Sequence, residues 1–257
     1  MSQPVFALAA RSAIGLHRSG NEDSALTSAN LIAVADGMGG HAGGEVASAI
    51  AIKELSKLVP ISQSSDIDAD SLEDLLAQSI SEIDNEILRV ASDDPELRGM
   101  GTTLTALLLH EDRIALIHIG DSRAYRLRDG ELEQLSLDHT VLQELIDQGK
   151  LTISEANDHP QRSLLTQVLM GSGNLDPVLV VYERKAGDRY LLCSDGLSSV
   201  LSNKEIKSLL KKSKREDAVT ALVEATYVND APDNVTVIVA DIATDLTVET
   251  ELHGASK

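Results

Sequence analysis

Tryptophan is absent from this 257-residue chain, and its aromatic rings are confined to Phe6, Tyr125, Tyr182, Tyr190 and Tyr227. A core this poor in rings must be packed from Leu, Ile, Val and Ala, which argues against stacking of bases or sugars as the main business. Cysteine occurs once, at Cys193. That excludes a disulfide framework or a Cys-based zinc site within one chain and points to a reducing, cytoplasmic compartment. Apolar runs are short and punctuated, such as LTALLL (104–109), so no membrane span of about 20 residues is expected. The first residues, MSQPVFALAARSAIG, carry no basic lead and no long apolar stretch, so no secretory signal is expected. Basic residues are also scarce: 22 Lys and Arg face 41 Asp and Glu, a formal charge of -19. Such a chain repels nucleic-acid phosphates, and its one basic cluster, KKSKR (211–215), reads as the solvated end of a helix.

What remains is the apolar periodicity of an ordinary globular domain. Helices are expected over Glu45–Val59 (ending at Pro60), Ser71–Ala91, Thr140–Gln148, Asn203–Lys212 and Glu216–Val228. Strands are expected at Val5–Ala10, Leu31–Ala35, Thr103–His110, Arg113–Ile119, Arg123–Arg128, Glu131–Leu135, Val178–Tyr182, Arg189–Cys193 and Asn234–Asp241. HEDR (110–113) and Asp129-Gly130 read as hairpin turns. Direct hairpins and partly segregated helices give an α+β domain with antiparallel sheets, the helices covering the outer sheet faces. The domain is expected to span residues 1–242, with ISQSSDIDADS (61–71) as a loop and residues 243–257 as a frayed tail.

Acids recur where strands end. LIAVAD supplies Asp36, IHIGD Asp121, LLCSD Asp195 and APD Asp233, while RSGNED brings Glu22 and Asp23. Rigid strand ends can present side chains to a common site. Carboxylates gathered there cannot all stay ionised without cations. Oxygen-only ligands suit the hard ions Mg²⁺, Mn²⁺ and Ca²⁺. Two such ions would share a bridging carboxylate and activate a bridging water, with a phosphate as the natural target.

In order along the chain stand RSGNED (18–23), DGMGGHAGGEVAS (36–48), GTT (101–103), GDSRAYRLR (120–128), LDHT (137–140), LLCSDGL (191–197) and DNVT (233–236). This set resembles the PP2C-type metal-dependent protein serine/threonine phosphatases, its DGMGGH being nearest the bacterial single-domain branch. The resemblance implies a four-layer α/β/β/α sandwich of two antiparallel sheets flanked by helices. It implies hydrolysis of phosphoserine and phosphothreonine in proteins by direct attack of a metal-bridging water, with two Mn²⁺ or Mg²⁺ ions and a third, weaker one. Asp36 would bridge the two ions, the Gly37 carbonyl would help hold one of them, and Asp195 with Asp233 would complete the other shell. Glu22 would bind through water, Asp23 would orient the attacking water, and Asp121 with Asp195 would hold the third ion. Arg18 would grip the substrate phosphate with its planar fork. The flap of the family would lie at about residues 140–169. Phosphorylated proteins, a Ser/Thr kinase and its targets among them, would be the partners of a monomeric enzyme.

Met38 stands where many eukaryotic members carry His, and His41 follows three residues later. His41 is a candidate proton donor to the leaving oxygen; hydrogen bonding inside the glycine-rich loop is its other reading. His139 is read as structural, bonding to the loop that follows it. Other patterns fail on their own terms. GMGGHA (37–42) fits a loose dinucleotide fingerprint, but Asp36 would face the pyrophosphate and no βαβ series follows. DIDADS (66–71) lacks the Gly and Glu of an EF-hand loop. Cys193 lacks the arginine of a Cys-phosphatase loop, Ser199 standing six residues on. The rival from another functional class is a silent module of the same fold that binds a phosphoprotein or a kinase; it would be expected to have lost a metal carboxylate.

Overall fold

The computed structural model describes residues 4–40, 43–64, 67–152, 155, 164–173, 175–244 and 246–257. In chain order the elements are β1 (Pro4–Ala13), β2 (Asp23–Thr27), β3 (Leu31–Met38), α1 (Gly43–Ser56), α2 (Val59–Ser62), α3 (Ala69–Asp93), β4 (Gly101–Thr102), β5 (Leu104–His110) and β6 (Arg113–Ile119). There follow β7 (Arg123–Arg128), β8 (Glu131–Gln134), α4 (Val141–Asp147), β9 (Val178–Glu183), β10 (Arg189–Cys193), α5 (Asp195–Ser198), α6 (Asn203–Leu210), α7 (Arg215–Val228), β11 (Val235–Thr244) and β12 (Glu251–Gly254). One sheet runs β1-β11-β10-β7-β8; the other runs β12-β2-β3-β5-β6-β9, with β4 pairing β3. All the pairings are antiparallel.

Period-2 alternation sorts the strands' side chains into separate cores. Ile32 and Val34 point between the sheets, where they meet Leu107, Tyr190, Leu192, Ile238 and Phe6. Their alternates Leu31, Ala33 and Ala35 face outward against Ile52 and Leu55 of α1 and Leu76, Ile80 and Ile83 of α3. On the other sheet Leu191, Cys193, Val237 and Val239 face outward against Ile206 and Leu210 of α6 and Val219 and Leu222 of α7. The layers are therefore helix, sheet, sheet, helix, and each interface is apolar. Because both faces of the central strands are covered, they read as continuous apolar runs.

Several local expectations shift. The helix expected from Glu45 begins at Gly43 and breaks at Ser56, and Pro60 lies in the first turn of α2, where its missing N–H costs no hydrogen bond. α3 starts two residues before Ser71 because Asp68 is its cap, accepting from the Ser71 N–H at 2.8 Å. The hairpin at Asp129-Gly130 has both residues at positive φ, 51° and 81°, as a type I′ turn requires. The expected domain boundary at 242 falls inside β11, and the tail expected to fray instead closes on the sheet. Glu251–Gly254 forms β12, in register with Thr27–Ser24 of β2. Neither strand has an apolar run to announce it; β2 is held between β3 and β12, and β12 pairs with β2 alone. Among the described residues no helix is long and apolar enough to cross a membrane.

Candidate functional site

The site gathers at the ends of strands from both sheets. Asp23 opens β2 and sits in register with Asp36 on β3. The GTT segment holds Asp36 by its backbone: Asp36 N–H donates to Thr103 Oγ1 at 3.0 Å, while Thr103 N–H and Thr102 Oγ1 each donate to the Asp36 carbonyl at 2.9 Å. Past Asp36 the chain must pass very close to the start of α1. A Cβ on Gly44 would lie 2.3 Å from Glu22 Oε2 and 2.8 Å from the Gly37 carbonyl oxygen, so the missing side chain leaves these two oxygens facing one small space. The Glu22 main chain is tied down as well, its carbonyl accepting from Gly37 N–H at 3.2 Å and Ser48 Oγ at 2.5 Å.

The other sheet supplies Asp195 at the end of β10 and Asp233 just before β11. Their turns touch: a Cβ on Gly196 would fall 1.9 Å from the Asn234 carbonyl oxygen. Asn234 links them to the first sheet, donating to the Gly20 carbonyl at 2.9 Å and accepting from Glu22 N–H at 2.9 Å. Arg18 donates from Nη2 to Asp233 Oδ2 at 2.5 Å. Ser194 Oγ donates to Asp23 Oδ2 at 2.8 Å. Asp121 follows Gly120, whose φ of 104° turns the chain out of β6 against Thr103.

The electrostatics show that these acids converge. Burial pushes the Asp23 carboxyl up to about 7, reinforced by the charges of Asp195 and Asp233 and opposed by hydrogen bonds from Thr236 and Ser194. Burial drives Asp36 well above the usual carboxylate range, with further pressure from Asp23, Asp195, Asp121 and Asp233. Asp121 rises to about 7 through burial, then the charges of Asp195 and Asp138. Burial and then the charge of Asp233 raise Asp195. Asp36 and Asp195 belong to different sheets, so the charges that press on one another come from both halves of the sandwich.

Arg18, Glu22, Asp23, Asp36, Gly37, Asp121, Asp195 and Asp233 are thus all brought to this one end. The donor set is oxygen only and strongly acidic, which fits hard divalent cations and leaves its carboxylates poorly ionised without them. Among the described residues no group of three or more His, Cys, Asp or Glu side chains is placed to hold a metal ion by itself. The Gly37 carbonyl is a non-carboxylate donor, and Asp233 is held by Arg18. His41 lies outside the described residues, as do much of the expected flap (153–154 and 156–163) and Asp66. The flap's ends are placed: Thr140 bridges Leu165, and Leu169 bridges Thr102. His139 is structural in both directions: its carbonyl accepts from Thr166 N–H at 2.9 Å in the loop that follows, and its ring accepts from Gly120 N–H at 3.2 Å, bracing the residue before Asp121. Ser194, Asn234 and Thr103 are scaffold residues that the sequence reading passed over. Their signal was position: Ser194 and Asn234 stand directly beside Asp195 and Asp233, and Thr103 closes the GTT segment. A surface depression of about 420 Å³ beside α7 includes Asp217 and Glu224 but none of the converging acids.

This fold and this acidic site define a class, and the sequence profile of protein phosphatase 2C matches residues 19–233. The chain belongs to that family. It is 46% identical to the serine/threonine protein phosphatase PstP of Mycobacterium tuberculosis over 93% of its own length but 45% of that relative, so it spans about half of it. It is 35% identical to the serine/threonine phosphatase stp of Listeria monocytogenes, covering 82% of this chain and 84% of that one. A solved structure of the Mycobacterium tuberculosis phosphatase PstP superposes with a TM-score of 0.87 at 46% identity, covering 92% of this chain and 98% of that one, and the catalytic domain of PstP in complex with two manganese ions gives 0.85 at 43% identity, covering 93% of this chain and 99% of that one. The two antiparallel sheets with flanking helices are the architecture these structures share.

Proposed function

We propose that this chain hydrolyses phosphoserine and phosphothreonine in proteins, as a divalent-metal-dependent phosphatase. The observation that carries the reading is the convergence of Glu22, Asp23, Asp36, Asp121, Asp195 and Asp233 with Arg18 at one end of the sandwich. The naming of its relatives as serine/threonine phosphatases supports it, and so does the manganese in the PstP complex.

Asp36, Asp195, Asp233 and the Gly37 carbonyl would hold two cations, with Glu22 behind a water and Asp121 with Asp195 on a third. The cations, when bound, neutralise phosphate charge and supply an acidified water near neutral pH. The remaining work falls to the chain. Arg18 lies beside Asp233 and is 45% exposed as a side chain, so its fork is available to two phosphate oxygens. Asp23 is buried, fixed by Ser194 and Thr236, and accepts a hydrogen bond from the attacking water, aiming it at phosphorus in line with the seryl or threonyl oxygen. His41 is our candidate for protonating that departing oxygen. The partners would be phosphoproteins, including a Ser/Thr kinase and its targets, met by a monomer in the cytoplasm, a compartment in keeping with the unpaired, buried Cys193.

The test is turnover of p-nitrophenyl phosphate and a phosphothreonine peptide with Mn²⁺ or Mg²⁺, with EDTA, and with Asp36→Ala or Asp195→Ala. Metal-dependent turnover lost with EDTA and with either substitution is expected. A folded, metal-loaded chain that binds the phosphopeptide without turnover would be the silent binding module instead.

A further inference from the structure

We propose that the C-terminal strand β12 is a positioning element for Asp23, a role that rests on reading Asp23 as the residue that orients the water. The contact is direct. On the side of β2 away from β3, Ala255 N–H donates to the Asp23 carbonyl at 2.8 Å. Gly254 has φ of 67°, and a Cβ there would lie 2.1 Å from that same carbonyl oxygen. Only glycine lets the strand come this close while turning. Thr27 Oγ1 and His253 Nε2, 2.9 Å apart, anchor the other end of the pairing.

β12 also bears on the groups around the Asp23 side chain. The Gly254 Cβ position is 3.0 Å from Ser12 Oγ. Ser12 Oγ accepts from Asn21 Nδ2 at 2.8 Å and shares a hydrogen bond with Thr236 Oγ1 at 2.8 Å. Asn21 Oδ1 in turn accepts from Asp23 N–H at 3.2 Å, and Thr236 N–H donates at 3.0 Å to Ser194 Oγ, which donates to the Asp23 carboxyl at 2.8 Å. The strand thus closes a shell that fixes Asp23 by backbone and side chain together.

Its contribution to the cores is small. Among residues 246–257 only Ser256 is buried, and Leu252 alone packs partly against an apolar cluster. The strand is therefore placed to act on the position of Asp23 more than on the stability of the domain. An error of about 1 Å in placing a reacting group costs about a hundredfold in rate.

The experiment compares the full chain, a chain lacking residues 246–257, Gly254→Ala in the full chain, and Asp23→Asn, using a phosphothreonine peptide at saturating Mn²⁺. Removal of the strand is expected to lower kcat by about tenfold to a hundredfold while KM stays within about twofold. Gly254→Ala is expected to do the same, and a synthetic peptide of residues 246–257 to restore the truncated chain's kcat saturably, whereas the same peptide carrying Gly254→Ala does not. A folded truncated chain with unchanged kcat overturns the proposal. If the truncated chain does not fold, Gly254→Ala decides alone, an unchanged kcat overturning the proposal and a lowered kcat with KM held supporting it. Asp23→Asn separates the two readings: if it leaves kcat intact, the role of Asp23 falls and the strand's with it; if it abolishes kcat while the truncation does nothing, only the strand's role falls.

Discussion

Arg18 Nη2 sits 2.5 Å from Asp233 Oδ2, so the proposed phosphate-gripping group and a proposed metal ligand hold each other. The pair orients the guanidinium over the mouth of the site before substrate arrives. A lysine at this position would keep the charge but lose the planar fork. Arg18→Lys is expected to lower kcat/KM for a phosphothreonine peptide by about tenfold to a hundredfold, as loss of a charged hydrogen bond of about 1.5–3 kcal/mol implies. Steady-state kinetics checks this, and kcat/KM within about twofold of the parent would remove Arg18 from the site.

The acids predict an unusual pH dependence for the chelator-treated chain. Asp23 and Asp121 are raised from 3.8 to about 7 in the folded state. Between those values the native chain binds more protons than the unfolded one, so stability falls as pH rises. With EDTA, the thermal midpoint is expected to drop from pH 5 to pH 8 (both ~) and to recover on adding Mn²⁺, more at the higher pH. A midpoint that rises with pH in the presence of EDTA would contradict this.

The same repulsion implies a trade between stability and activity. Asp36→Asn removes one charge from the centre of the cluster while keeping its shape. Urea unfolding in EDTA is expected to show a gain of about 1–2 kcal/mol, with metal-dependent turnover abolished.

Gly44 has no room for a side chain between the Glu22 carboxylate and the Gly37 carbonyl. Gly44→Ala is expected to raise the Mn²⁺ concentration for half-maximal activity by about tenfold, the loss of a single outer contact to a metal ligand. A metal titration of initial rates reads it.

Asp84 on α3 is buried and accepts from the backbone N–H groups of Met170, Gly171 and Gly173 at 3.0, 2.6 and 2.9 Å. It thereby anchors the chain just after Leu169, whose bridge to Thr102 reaches the backbone clamp on Asp36. Asp84→Ala strands those donors and is expected to cost about 2–4 kcal/mol by urea unfolding.

The helices and most strands were legible because each carries its own period: Leu72, Leu76, Ile80 and Ile83 at helical spacing in α3, or Tyr190 to Cys193 as an apolar run in β10. Asp36, Asp121 and Asp195 were legible because each stands at the end of such a run, and Asp233 because one follows it. β2 and β12 were not, since DSALT and ELHG have little apolar signal; β2 is recruited between β3 and β12, and β12 by the open edge of β2. The bond of His139 to the loop that follows, at Thr166, was legible; its second partner, Gly120, was not, because it lies 19 residues back and comes beside the ring only through the β6–β7 turn.

The sequence by itself determined the class of fold, the identity of the acids and their places at strand ends, because apolar periodicity and turn chemistry are local properties of neighbouring residues. Only the tertiary structure decided which acids touch, that Arg18 rests on Asp233, and that the C-terminal strand closes over Asp23. The last two contacts join residues more than 200 positions apart, and which of them form depends on how two sheets pack and which edge is left open, a choice no local pattern encodes.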